Sequence, residues 1–320
     1  KQVYIALLSI MSLCLLMDYV PGAGFLGSWV TPPVALFLGL VFALTLGQPF
    51  PKFNKKASKM LLQYSVVGLG FGMNLQKSLQ SGAEGMAFTI ISVVGTMLIG
   101  WIIGRKLLKV DRITSYLISS GTAICGGSAI AAVGPVVKAK DAEMSVSLGT
   151  IFILNAIALF IFPPIGEALG MTQQQFGTWA AIAIHDTSSV VGAGQAYGEE
   201  ALQIATTIKL TRALWIILLA LVSSLIFKSK GQRISIPWFI LFFVLAMIFN
   251  TYVLEPTEMG SAIGSFINGI ARKSLTVTLF FIGASLSLDV LKTVGVKPLI
   301  QGVLLWIVIS LSTVAYIYCF

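Results

Sequence analysis

The chain has 320 residues, of which 57% are hydrophobic and only 10% charged, and its mean hydropathy is +0.93. A soluble domain carries about 25% charged residues and could not hide this much apolar surface, so a soluble globular fold is excluded and an all-α polytopic membrane protein is expected. The formal net charge of +9 falls in short stretches between apolar segments, without aromatic interleaving, so it speaks for membrane orientation and against a nucleic-acid surface.

In chain order, apolar segments of spanning length fall near residues 3–17, 31–47, 60–76, 86–104, 144–162, 202–227, 236–254, 274–290 and 299–319. The first, "VYIALLSIMSLCLLM", follows a single lysine and shows no clear small-residue cleavage site, so it reads as a retained span and not a signal peptide. Two further segments, 115–137 and 174–197, are interrupted by Gly, Ser, Thr and charged residues. Irregular backbone at membrane depth is tolerated only where protein or a polar cavity covers it. The three cysteines, Cys14, Cys125 and Cys319, lie inside apolar segments and form no CxxC pair, so neither a disulfide framework nor a zinc site is expected.

Loop charge then orients the segments. Basic residues cluster at Lys52, Lys55, Lys56 and Lys59; at Arg105, Lys106, Lys109 and Arg112; at Lys138 and Lys140; at Lys228, Lys230 and Arg233; and at Lys292 and Lys297. The other connections carry mostly acids: Asp18, Glu84, Glu167, Glu199, Glu200, Glu255 and Glu258. If 115–137 enters from the cytoplasm and returns, and 174–197 enters from outside and returns, every basic cluster falls inside and every acidic connection outside. Lys77, Arg272 and Lys273 are then exceptions on the outer side. The expectation is about nine full spans plus two re-entrant helical hairpins, all in one integral membrane domain over 1–320 whose core is the two interrupted segments; two discontinuous full crossings are the alternative.

Weak internal similarity fits that arrangement. "LGFGMNLQKSLQSG" (69–82) aligns with "IGASLSLDVLKTVG" (282–295), pairing Gly70 with Gly283, Leu75 with Leu288 and Gly82 with Gly295. "TAICGGSAIAAVG" (122–134) aligns with "AIAIHDTSSVVGAG" (181–194), pairing Ile124 with Ile184 and Ser128 with Ser188. Inverted pairs of this kind mark inverted-repeat transporters.

Within the first interrupted segment, Gly121, Gly126 and Gly127 let the backbone turn and approach a ligand closely, and a helix resuming near Ser128 leaves N–H groups free for an anion. Thr122 and Ser128 add hydroxyls, with Cys125 beside them. Close helix packing through small residues is the competing explanation of these glycines. In the second segment the sole histidine, His185, precedes Asp186, Thr187, Ser188 and Ser189, a run of N-cap residues that starts a second helix. Two helix N-termini meeting near the midplane form an anion cradle, with Ser128, Thr187, Ser188 and Ser189 as donors. Asp186 and His185 are candidates for coupling to H+ or Na+, against the alternative of a pair that only caps a buried helix. Lys209 and Arg212, three apart on one helix face, neutralise an anion or pair with Asp186 unless they snorkel to the surface. Asn155 bridges helices or touches substrate.

"LISSGTAICGGSAIAAVGPVVKAK", "GTIFILNAIALFIFPPIGEALG", "FGTWAAIAIHDTSSVVGAGQAYG" and "ATTIKLTRALWI" together closely resemble the bacterial sulfate exporter family, inner-membrane proteins long described as conserved hypothetical proteins. The likeness is densest over 115–216 and looser elsewhere, including "VVGLGFGMNL". A more distant likeness to the bile-acid and citrate-type inverted-repeat carriers implies elevator-type transport. The resemblance implies export of sulfate or a related sulfur oxyanion or sulfonate; an ion-coupled carboxylate transporter is the alternative, and a homodimer is compatible with either. No cofactor or metal is called for, and no P-loop is present to couple ATP directly. An intramembrane hydrolase using His185 with Ser188 or Cys125 is a weak competitor, because no G-x-S-x-G elbow or metal motif accompanies them, and a passive channel is a third.

Overall fold

The computed structural model describes residues 1–17, 29–47, 49–227, 238–285 and 294–319, and these form helices and their connections without a strand. The clusters at Lys228, Lys230 and Arg233, with Asp18, Lys292 and much of the 282–295 repeat, lie outside the described residues. The chain divides into two compact units, Lys1–Lys77 with Pro237–Leu288, and Ser78–Ile236 with Asp289–Phe320.

The first unit holds α1 (Gln2–Leu16), α2 (Pro32–Leu46), α3 (Pro51–Leu69), α12 (Trp238–Phe249) and α13 (Glu258–Ser285). α2 and α3 open on prolines, which fit a first helical turn because their missing N–H is unpaired there anyway. Helix contact depends on small residues. A methyl at Gly283 on α13 would stand 2.9 Å from the Leu40 nitrogen of α2, and one at Gly68 on α3 would stand 2.7 Å from the Ala271 methyl of α13. The chain breaks after α3, and two buried amides satisfy the freed carbonyls: Asn268 Nδ2 donates to Leu69 O at 3.1 Å, and Asn250 Nδ2 to Met73 O at 3.2 Å.

Two sequence expectations are corrected in this unit. Lys52, Lys55, Lys56 and Lys59 do not form a loop, because Pro51 starts α3 ahead of them. Arg272 and Lys273 do not precede a span but sit halfway along the 28-residue α13. Arg272 Nε donates to Asn268 Oδ1 at 2.7 Å and Lys273 Nζ to Leu15 O at 2.7 Å, so polar atoms of neighbouring backbone and side chains absorb both charges.

Among the described residues, the second unit carries four helical runs long and apolar enough to cross a membrane: Phe88–Leu107, Asp141–Ala168, Glu199–Ile226 and Val296–Cys319. Its helices are α4 (Leu75–Trp101, shared with the first unit), α5 (Arg112–Ala123), α6 (Gly127–Val136), α7 (Asp141–Ala168), α8 (Gln173–Ala183), α9 (Thr187–Tyr197), α10 (Glu199–Ala213), α11 (Trp215–Ile226) and α14 (Val296–Cys319). α5 and α6 are the two arms of one helical hairpin, and α8 and α9 of another. Each opens on a side-chain cap: Asp111 Oδ2 accepts from the N–H of Ile113 and of Thr114, and Thr172 exchanges hydrogen bonds with Gln175.

Contacts at the open ends bring the two arms of each hairpin together. In the second hairpin Tyr197, ending α9, donates its hydroxyl to Met171 O at 2.6 Å and stacks on Phe176 of α8 with centroids 3.8 Å apart. Gln173 Oε1 accepts from the N–H of Glu200 and Ala201, so α8 and α10 start at one level. In the first hairpin, Gly134 near the end of α6 lies against Met144, early in α7, and Thr114 near the start of α5 accepts a long 3.5 Å bond from Ser147. α14 lies alongside both. Gln301 Nε2 donates to Gly100 O and to Ser115 at the base of α5, Trp179 of α8 donates to Ser310, and Tyr318 donates to Leu169 O at the far end. The hairpins therefore enter from opposite ends of α7, which is about 42 Å long at 1.5 Å per residue, and point at each other.

Candidate functional site

The two breaks are residues 124–126 and 184–186, so the 60-residue offset seen in the sequence carries one break exactly onto the other. They solve the turn differently. The first uses Gly126 at φ +62°, ψ −123°, a conformation closed to residues with a side chain. The second runs extended through Ile184 and Asp186, and Asp186 then caps α9.

The tips touch. A methyl group added to Gly126 would lie 3.3 Å from the His185 carbonyl oxygen and 3.4 Å from Asp186 Cα. Asn155, midway along α7, accepts from the N–H groups of His185 and Asp186 at 3.1 Å each, which ties the second tip to the central helix. Of the two roles expected for Asn155, bridging is the one the geometry displays.

Lys209 and Arg212 are 0% and 1% exposed, so neither snorkels. Each closes the first arm of a different hairpin. Lys209 Nζ donates to Ile184 O at 2.7 Å and Ala181 O at 3.2 Å, at the C-terminus of α8. Arg212 Nη2 donates to Ala123 O, at the C-terminus of α5, and its Nη1 to Ser92 Oγ of α4 at 3.0 Å. Cations at helix C-termini complement both the orphan carbonyls and the negative end of the dipole. The expected pairing with Asp186 is thus replaced by carbonyl contacts, although Lys209 remains within electrostatic range of Asp186.

The second arms begin where the first arms end. Gly126 has no side chain with which to cap α6, so the N–H groups of Gly127 and Ser128 receive no cap from it, while the Cys125 sulfur faces the Ala129 N–H. Thr122, Cys125 and Gly126 are buried, Gly127 is half-buried and Ser128 is exposed. At α9, Thr187, Ser188 and Ser189 are buried and Asp186 is half-buried. Ser188 gives both its N–H and its hydroxyl to Asp186 Oδ2, so these donors already face a carboxylate. Several buried polar atoms at the tips have no hydrogen-bond partner: both ring nitrogens of His185, Asn155 Nδ2, Thr122 Oγ1 and Arg212 Nε. His185 lies in the break, not on α9, and the Ser188 hydroxyl turns to Asp186.

A family model described as conserved hypothetical protein 698 matches residues 5–302. The chain belongs to that family. Similar proteins are each called a UPF0324 membrane protein: one of Bacteroides thetaiotaomicron is 76% identical over 99% of this chain and 96% of its own length, and one of Porphyromonas gingivalis is 65% identical over 91% and 88%. One of Vibrio vulnificus is 47% identical over 91% of this chain and 94% of its own length. No solved structure matches. With its apolar helices, this member of the conserved hypothetical protein 698 family is a multi-pass bacterial membrane protein.

Sequence reasoning missed Ser92 and Gln301, which hold Arg212 and the base of α5 respectively. Ser92 lies between Thr89 and Thr96, and Gln301 shares its helix with Lys297 and Ser310, so neither stands out as Asn155 does.

Proposed function

We propose that the protein is a secondary transporter of a small anion, with the two hairpin tips as its binding site. One observation carries this reading: two helix breaks meet head-on beside two buried cations, and the unpartnered polar atoms there are mostly hydrogen-bond donors. Such a site favours an acceptor-only, negatively charged guest. In this reading the hairpins re-enter the membrane from opposite faces, the chain makes about nine full spans, and the 60-residue offset reflects an inverted relation between the hairpins. Assignment of both hairpins to one compact unit supports an elevator-type motion of that unit. Sulfate or a related sulfur oxyanion or sulfonate is the substrate drawn from the family resemblance, and a carboxylate is the alternative that the same donors accept.

The test is uptake into proteoliposomes of sulfate, sulfite, thiosulfate, taurine and a dicarboxylate, with and without Na+ and proton gradients. Saturable, gradient-dependent flux of one anion is the expected result; non-saturating flux indicates a channel, and no flux of any of them rejects the reading. Topology is tested separately. Membrane-impermeant thiol reagents added outside should label a cysteine placed at Glu199 and spare one placed at Lys140, and labelling at Lys140 would mean that the first hairpin crosses fully.

A further inference from the structure

We infer that the Asp186 carboxylate is a built-in competitor for the anion site: it occupies the donors of α9, and an anion takes them only when a proton neutralises Asp186, so anion and proton bind together. This rests on the anion-transport reading and adds its coupling. The two hairpins differ in one respect that bears on it. The N-cap residue of α6 is Gly126, which has no side chain, whereas that of α9 is Asp186, whose carboxylate accepts from both the N–H and the hydroxyl of Ser188. Each of those groups has a single hydrogen to give. A substrate oxygen at Ser188 would have to share them with a carboxylate within about 3 Å, and two negative charges at that separation repel strongly in a low-dielectric site.

Protonation removes the conflict. A neutral carboxyl accepts more weakly from Ser188, no longer repels an anion there, and gains an O–H that can itself donate to the anion. Asp186 is half-buried, whereas the ionisable groups around it, His185, Cys125, Lys209 and Arg212, are buried. The charged and titratable groups facing it are few. They are Lys209 on α10, with Arg212 one turn further along, His185 in the same break, and Cys125 in the opposite tip. α8 has no ionisable residue and α9 only Tyr197 at its far end, while α7 presents the neutral Asn155. Counting Asp186, Lys209 and Arg212, the tips have a net charge of +1 with Asp186 ionised and +2 with it protonated. A dianion is therefore neutralised only in the protonated state.

The proton comes from solvent and no bond other than that O–H is made or broken, so the linkage is reciprocal: protons tighten anion binding and the anion tightens proton binding. The experiment is calorimetric titration of the purified full-length chain with each panel anion, in buffers of low and high ionisation enthalpy across the pH range. About one proton should be taken up per anion, with affinity weakening up to tenfold per pH unit once Asp186 is ionised. Asp186→Asn keeps an N-cap acceptor and should fold with an unchanged melting temperature. It should bind the anion without the proton uptake that the wild type shows. Wild-type binding without proton uptake overturns the inference while leaving anion binding intact, as does an Asp186→Asn variant that is folded and still takes up the proton. Binding of none of the anions by either protein removes the transport reading and the inference with it.

Discussion

Arg212→Ala should abolish transport and lower the melting temperature of the purified protein more than any other single change at the tips. The guanidinium is buried and joins Ser92 of α4 to Ala123 at the end of α5. A hydrogen bond to a charged group contributes about 1.5–3 kcal/mol, and truncation also leaves a cavity and an orphaned carbonyl. The loss is a sizeable part of the ~5–15 kcal/mol that holds a typical domain folded. Arg212→Lys should recover only a fraction, because an ammonium keeps the charge without the planar fork that spans two acceptors. Thermal unfolding followed by size-exclusion chromatography, beside uptake assays, checks both variants. An alanine variant with wild-type stability would mean that the two bonds do not hold the first hairpin.

Gly126→Ala should be the most damaging glycine replacement in the chain's two tips. At φ +62°, ψ −123° an alanine is strained by roughly 1–3 kcal/mol wherever it stands. Its methyl would also meet Ile151 at 3.1 Å and the His185 carbonyl at 3.3 Å, pushing the tips apart. Gly170→Ala is the control. It also has positive φ, at +63°, but nothing lies within 4 Å of the added methyl. The expected outcome is strongly reduced anion binding in the first variant and near-normal binding in the second, at comparable expression. Equal behaviour of the two would remove any special role for the contact between the tips.

The interrupted segments were legible because glycine, hydroxyl residues and a His–Asp pair stand out against an apolar background. The expected 115–137 and 174–197 become helix–break–helix units over 112–136 and 173–197. Other boundaries were not legible. A hydropathy window ends a span at the first charges, yet a helix continues through them when a neighbouring helix supplies polar atoms, as Leu15 O does for Lys273. The direction of a polar side chain is equally invisible in sequence. Helical spacing put Lys209 and Arg212 on one face, but only the packing of α8 and α5 gives each a separate row of carbonyls. Ser188 was read as a donor to substrate, and its two-residue distance from Asp186 also permits the local bond that the structure forms.

Lys209 and Arg212 both belong to α10, and their bonds are to the protein's own backbone carbonyls and, for Arg212, to the Ser92 hydroxyl as well. They are fixed cargo: any displacement of the tips across the bilayer carries them along. In an elevator cycle the loaded unit can travel electrically neutral, with the guest's charge set against these cations, but the empty unit must return with its own net positive charge. Moving one elementary charge through the full field is worth about 2.3 kcal/mol per 100 mV. In the proposed elevator cycle, a resting voltage negative inside would hold the empty tips toward the cytoplasm and favour loading there. In that proposed cycle the sign of two buried side chains would bias the direction of transport alongside the ion gradients outside the protein.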